Sequence, residues 1–480
     1  MAYKDIQEFI KALEDSDQLI RISEEVSSDL EITEIADRVS KAYGKALLFE
    51  KVKGSKYPVA INLMGTYERM SMALGVEDFD EIAQDIQDFM NVNGYMTLKG
   101  KVKAIPKAVR ILNVPTKKVL NAPCQEVVEE PDLDTIPILK CWPDDGGKFV
   151  TLPLVITKDP ITNQQNMGMY RLQVYDKKTT GMHWHLHKDG KEIYEEYRKL
   201  GSKMPVSVAI GCDPATIYSA TAPLPKMIDE MLFAGFIRKK SVPVVKCITN
   251  DLYVPANAEF ILEGYVDLDE LREEGPFGDH TGYYSLKDMF PVFHIEKITR
   301  KKSPVYPATI VGKPPMEDCY MAKATERIFL PLLKMTCPEI VDMNLPLEGV
   351  FHNCAIVSIK KKFPKHAQKV MNSLWGMGQM MYTKMIIIVD ENIDVHDLST
   401  VAWKVFNNID AKRDLVISEG PLDTLDHASN TKHYGYRLGI DATKKLESEG
   451  HTREWPDDIE MSEEIKKMVD EKWQNYGIKL

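Results

Sequence analysis

The chain has 480 residues, enough for two or three domains, and its 44% hydrophobic and 28% charged composition is that of a soluble globular protein. A formal net charge of -11 excludes a broad basic footprint for a nucleic-acid backbone. Seven cysteines stand singly without a Cys-x-x-Cys pair, which argues against a disulfide framework or structural zinc and for a reducing cytosol. The start of the chain carries no secretory signal, and no apolar run reaches the length of a membrane span.

Ile6, Phe9, Ile10 and Leu13 fall at helical spacing, and residues 19–22 read as a short strand. Helical and strand patterns alternate up to residue 112, which predicts an N-terminal α/β unit over 1–112. Prolines then cluster at 115, 123, 131, 137 and 143, followed by Asp144-Asp-Gly-Gly147. This reads as irregular connecting chain and a boundary.

From 151 to 320 the strand signal dominates, at 152–157, 168–175, 206–210, 244–249 and 259–266, with one helix over 226–237. So many short strands predict a mainly β, split-barrel-like domain over 113–320, because a barrel hides strand edges. In the last third, residues 353–360 and 385–389 read as strands. Between them Ala367, Val370, Met371, Leu374, Met377 and Met381 keep helical spacing. This is a βαβ unit, so 321–480 is expected to be a parallel α/β domain whose methionines fill its core. Residues 461–476 form an amphipathic pattern through Ile465, Met468, Val469 and Trp473, which must pack on the chain's own body or on a second subunit. The expected fold class is α/β, α+β overall, with a β-rich middle flanked by two α/β units.

Two segments carry chemistry. Glu274-Gly-Pro-Phe-Gly-Asp-His-Thr-Gly-Tyr-Tyr284 places two carboxylates on a stretch that Gly275, Pro276 and Gly278 keep from being a regular helix or central strand. It reads as a shaped loop, and paired carboxyls on such a loop can hold different protonation states. A turn with solvated acids fits the same residues. In Gly181-Met-His-Trp-His-Leu-His-Lys-Asp-Gly190, a strand would put His183, His185 and His187 on one face. That allows a three-histidine zinc site, and with it a hydrolase, or partly exposed strand residues with at most one ligand.

These segments, with Asn166-Met-Gly-Met-Tyr-Arg171, Pro205-Val-Ser-Val-Ala-Ile-Gly-Cys-Asp-Pro-Ala-Thr216, Phe233-Ala-Gly-Phe-Ile-Arg238 and Val254-Pro-Ala-Asn-Ala-Glu259, resemble the UbiD family of prenylated-FMN-dependent decarboxylases over about residues 5–475. The Gly-Asp-His-Thr-Gly-Tyr-Tyr form of the loop, Leu438-Gly-Ile-Asp-Ala-Thr-Lys444 and Arg453-Glu-Trp455 are most similar to the polyprenyl-hydroxybenzoate carboxy-lyases of quinone biosynthesis.

The resemblance implies site roles. Asn166, His187 and Glu230 match manganese ligands that also tie down the flavin phosphate; an amide oxygen, a carboxylate and one imidazole suit that ion. Met169, Tyr170, Arg171, His183, Trp184, His185, Lys188 and Asp189 fall where the family contacts the flavin. His183 and His185 are unusual there and point to backbone contacts. Lys384 is placed to reach the phosphate. A potassium ion accompanies the manganese in some members, though no residue here calls for one. Arg171, Glu274 and Asp279 match the catalytic residues. Taken singly, Asn166 fits a turn, Arg171 a surface ion pair and Glu230 a solvated helix face.

An aryl carbanion finds no adequate side-chain stabiliser, so a cofactor must take the electrons. The implied reaction bonds the substrate to the electrophilic ring of the modified flavin, releases carbon dioxide and replaces it with a proton. Asp279 is the expected donor, its pKa raised by burial and by Glu274. Arg171 is expected to pair with Glu274. The implied partners are an aromatic acid, a flavin prenyltransferase as cofactor supplier, and further copies of the chain. A polyprenyl substrate would add peripheral membrane contact. A smaller phenolic or naphthoic acid, or a non-catalytic flavin-holding subunit, are the alternatives.

Overall fold

The computed structural model describes residues 2–90, 114–184, 189–224 and 228–478. The helix Ile6–Asp15 starts at Asp5, whose carboxylate accepts from the Glu8 N–H, satisfying an end donor that would otherwise lack a partner. Its buried residues are Ile6, Phe9, Ile10 and Leu13, the four the spacing selects. Each contributes about 1.5–3 kcal/mol by leaving water. The helix leads into Leu19–Val26, which pairs in parallel with Ala46–Val52. Val59–Ile61 and then Tyr306–Ala308 complete this sheet, so the chain returns to its first unit after building its second.

The central sheet runs Thr179–Gly181, Asp288–Arg300, Phe260–Glu274, Met204–Ile210, Pro153–Lys158, Gln165–Met169, with Val127–Glu129 beside Asp288–Arg300. Among the described residues no hydrogen-bonded pairing joins its two end strands. It is therefore a split sheet and not a closed barrel. Its spine is the antiparallel hairpin Phe260–Glu274 with Asp288–Arg300, which shifts register after Glu263 and after Asp267 and ends with Glu274 opposite Asp288.

Sequence patterning foresees only the first half of that hairpin's leading strand. Residues 267–273 are rich in acids and alternate poorly, yet the strand resumes after an irregularity at 268–270 because 288–291 supply ladder partners for 271–274. The expected strand 168–175 is broken instead. Tyr170 and Arg171 lie between the strands Gln165–Met169 and Leu172–Gln173. The expected helix at 226 is observed as Glu230–Arg238, begun by Asp229, which accepts from the N–H groups of Met231 and Leu232; residues 225–227 lie outside the described residues.

The C-terminal sheet runs Ile340–Asn344, Cys354–Ile359, Met385–Asp390, Tyr434–Asp441, Leu415–Pro421. Cys354–Ile359 and Met385–Asp390 are parallel and joined through His366–Trp375, the predicted βαβ unit. Val370, Met371, Leu374, Ile386 and Ile388 share its core. The helix Glu317–Thr336 buries Tyr320, Met321, Ala324 and Ile328 against the N-terminal and central cluster and Leu330 in the C-terminal one. The helix Glu463–Lys472 is capped by Ser462 and buries no residue; Ile465 and Met468 remain exposed. Its apolar face is only partly covered by the described residues of its own chain, with Val469 and Trp473 half-buried.

Candidate active site

The hairpin Phe260–Glu274 with Asp288–Arg300 ends in the loop singled out in the sequence, and the break after Gln165–Met169 aims Arg171 at it. Arg171 Nε donates to Glu274 Oε1 at 2.8 Å and Nη2 to Oε2 at 3.3 Å. Nη1 donates to Asp279 Oδ2, and Nη2 also to Ser285 Oγ at 3.1 Å. The guanidinium lies 4.5 Å from the Phe277 ring centre, a cation–π contact. Glu274 is fully buried and Asp279 nearly so. His183 Nδ1 lies 2.8 Å from Glu274 Oε2. Asp279 Oδ1 accepts the His280 N–H at 2.8 Å and faces His280 Nδ1 at 2.9 Å.

The loop is held from below by residues whose role nothing in the local sequence marks. Asp145 accepts the N–H groups of Gly278 and Trp142, each at 2.8 Å. Gln173 Oε1 accepts the Gly275 N–H at 2.7 Å. Ser285 Oγ accepts the Phe277 N–H at 3.2 Å. Gly275 has φ +99°, a conformation that side chains resist. A Cβ on Gly278 would stand 2.2 Å from Trp142 Cδ1, so glycine lets the loop lie flat on that indole. Asp145 belongs to the Asp-Asp-Gly-Gly run read as connecting chain; the only signal was an acid beside glycines.

Burial pushes both carboxyls upward, and their partners reverse it. Against burial, the His183 hydrogen bond and the Arg171 charge bring Glu274 down to about 2. For Asp279, burial is again opposed, here by Arg171 and by the side-chain and backbone bonds from His280, and the carboxyl ends well below the usual carboxylate range. The expected raised pKa of Asp279 is therefore corrected. Arg171, foreseen for Glu274, bonds both acids, and His280 adds two donors. Burial and the Arg171 charge keep His183 below the ordinary histidine value against the pull of Glu274.

A second pair lies at the other end of the 166–171 segment. Asn166 Nδ2 donates to Glu230 Oε1 at 3.1 Å, and Glu230 Oε2 accepts the Met167 N–H at 2.9 Å. Asn166 Oδ1 is buried and has no hydrogen-bond donor among the described residues. A buried acceptor beside a carboxylate fits a hard divalent cation, which would satisfy both oxygens. His187, the third expected ligand, lies outside the described residues, as do His185 and Lys188. Among the described residues no group of three His, Cys, Asp or Glu side chains could hold a metal.

The other expected flavin contacts are spread along this wall. Met169 and Tyr170 are half-buried between Asn166 and Arg171. His183 lies beyond the strand Thr179–Gly181, bonded to Glu274 and 4.2 Å from the Phe290 ring centre. The same-face strand geometry that suggested three zinc ligands does not include it. Trp184 is buried with Met182, Ile193 and Tyr194. Asp189 opens the helix Asp189–Leu200. Lys384 Nζ is 2.5 Å from Asp426 Oδ2, so it is engaged within the C-terminal unit.

Solved structures with this fold share the arrangement of the whole chain. Vanillic acid decarboxylase from Sedimentibacter hydroxybenzoicus in its closed form matches with a TM-score of 0.86 at 28% identity, covering 99% of this chain and 100% of that one. Its open form gives 0.79 at the same identity and coverage. The UbiD-class enzyme HmfF from Pelotomaculum thermopropionicum in complex with FMN gives 0.80 at 26% identity, over 94% and 97% of the two chains. Fold and family together make this chain a carboxy-lyase.

Three family models cover most of the chain: the 3-octaprenyl-4-hydroxybenzoate carboxy-lyase N-terminal domain over residues 10–88, its Rift-related domain over 116–314 and its C-terminal domain over 319–442. The chain belongs to the UbiD family. An uncharacterized protein of Archaeoglobus fulgidus is 54% identical over 98% of both chains, and one of Aquifex aeolicus 48% identical over 99% of both.

Proposed function

We propose that this chain removes carbon dioxide from an aromatic carboxylic acid with prenylated FMN bound between the Asn166–Glu230 pair and the Arg171 network. The observation that carries the reading is one guanidinium fixed between two buried carboxylates at the tip of a rigid hairpin. HmfF, solved with FMN and, as an evolved dimeric form, with prenylated FMN, supports the cofactor. When bound, that cofactor supplies the electron sink that no side chain offers.

The chain's own residues do the rest. Asn166 and Glu230, with His187, would hold manganese and through it the flavin phosphate. Met169, Tyr170 and Arg171 lie three to five residues beyond Asn166 and would contact the flavin on the side of the loop. Glu274 stays ionised and, with Arg171, fixes the wall that orients the substrate. Asp279 delivers the proton that replaces carbon dioxide. Arg171 and His280 favour its ionised form, so it takes up that proton during turnover.

The substrate we propose is a 4-hydroxybenzoate-type acid, polyprenylated as in quinone biosynthesis. A smaller phenolic acid is the second reading, favoured by the match to vanillic acid decarboxylase. Carbon dioxide release from 4-hydroxybenzoate, its 3-prenyl derivative and vanillate, compared between wild type and Asp279→Asn, tests the reading. Release by the wild type alone supports it; equal release by both contradicts it.

A further inference from the structure

We propose that His280 stores the proton that Asp279 delivers, acting through Asp279 and never on the substrate itself; this rests on the decarboxylase reading of the site. The geometry is that of a proton-holding pair. His280 Nδ1 lies 2.9 Å from Asp279 Oδ1, within reach for direct transfer. The other oxygen of Asp279 is taken by Arg171, so Oδ1, which also accepts the His280 backbone N–H, is the oxygen that can exchange a proton with the ring.

The imidazole is set for this task by its surroundings. Its ring stacks on Phe351 at 4.9 Å and 20° and stands 5.1 Å from the His352 ring. Its Nε2 is buried and has no hydrogen-bond partner among the described residues. The charged and titratable groups facing it come from four places. They are Asp279 on its own loop, Asp318 at the start of Glu317–Thr336, His352 in the 350–352 turn, and Asp423 beyond Leu415–Pro421. Three of these are carboxyls. Burial pushes the imidazole toward neutrality, but Asp279 first, then Asp318 and Asp423, raise it above the ordinary histidine value. A carboxyl pushed down by its donors thus sits against an imidazole pushed up by its acids.

The step balances. The bond between the ring carbon and its carboxyl carbon breaks and carbon dioxide leaves. The proton on Asp279 moves to that ring carbon, forming the new C–H bond. Asp279 draws its proton from Nδ1 of the imidazolium, leaving neutral His280, which water recharges once product has left. No oxidant or reductant is needed.

His280→Asn separates this role from a structural one. The asparagine amide can stand where Nδ1 stands and donate to Asp279, but it holds no transferable proton. The test uses the full-length protein in two arms. In the first, ring NMR of histidine-labelled protein follows titration, with the His280 signal assigned by its loss in His280→Asn or, if that variant does not fold, in His280→Gln. The expected result is a His280 midpoint above the ordinary histidine value of about 6.5 that falls by a unit or more in Asp279→Asn. A midpoint that Asp279→Asn leaves in place overturns the proposal.

In the second arm, the protein loaded with modified flavin turns over 4-hydroxybenzoate. His280→Asn is expected to lose about 10²-fold or more in kcat with KM little changed, and to lose the alkaline limb that wild type shows at the NMR midpoint. Wild-type kcat and an unaltered pH profile in His280→Asn overturn it. Inactivity of the wild type toward every acid tried would instead refute the decarboxylase reading, and the titration would still decide whether the pair exists.

Discussion

Arg171 Nε lies 2.8 Å from Oε1 of Glu274, a carboxylate with no exposure to solvent. The same guanidinium reaches Asp279 and Ser285 through its other nitrogens. Only a planar fork serves three partners in fixed directions. Arg171→Lys keeps the charge and loses the fork, so it is expected to lose at least about 10²-fold in turnover and on the order of 2 kcal/mol in stability. Carbon dioxide release and a denaturant melt measure the two; wild-type values in both would contradict the bridging role.

Asp279→Asn keeps the shape of the side chain and can still accept from Arg171, but it cannot deliver a proton. Flavin occupancy, read from its absorbance, should stay at the wild-type level while turnover falls by about 10²–10⁴. Loss of the flavin in this variant would mean that Asp279 serves binding instead.

Asp145 fixes the loop next to Asp279 by accepting the N–H groups of Gly278 and Trp142. Asp145→Asn leaves one oxygen for two donors, which costs about 1–3 kcal/mol where the orphaned donor is buried. The expected outcome is a lower melting temperature and a fall in kcat with unchanged flavin occupancy. A variant that loses stability but keeps full kcat would show that the clamp serves folding alone.

Asn166→Ala and Glu230→Ala each remove one member of the proposed manganese pair. Elemental analysis and flavin absorbance on the same samples should show metal and flavin lost together. Full occupancy of both in either variant would contradict the assignment.

The pH dependence of stability has a defined sign. Glu274 has a folded pKa of about 2 against an ordinary 4.5. A group lowered on folding stabilises the native state fully above its unfolded value and loses that contribution as the pH falls through the folded one. The acid arm of stability should therefore steepen between about pH 4.5 and about pH 2, and Glu274→Gln should flatten it. A wild-type and a Glu274→Gln melt that track each other across this window would rule the effect out.

What was legible in the sequence follows from how local its cause was. Gly275, Pro276 and Gly278 forbid regular structure whatever surrounds them, so the loop could be read. The four apolar residues of the first helix and the strand–helix–strand pattern after 353 carry their own periodicity. Residues 267–273 hide a strand because their partner, 288–292, supplies the order that their acids obscure. The strand break at Tyr170 and Arg171 looks like ordinary β sequence for the same reason. The protonation of Asp279 is not legible in the sequence because it depends on donors gathered in space. Arg171 is 108 residues away in the chain, and His280, the residue next to Asp279, carries no local mark of a role. Asp145, 133 residues from Gly278, was an acid in a connecting run with nothing local to mark it.

The most direct test of the central claim is mass spectrometry of the flavin retained after co-expression with a flavin prenyltransferase, followed by carbon dioxide release from a panel of aromatic acids using that same sample. The account predicts a prenylated FMN mass and release from at least one hydroxybenzoate-type acid. Unmodified flavin, with no release from any acid in the panel, would contradict it.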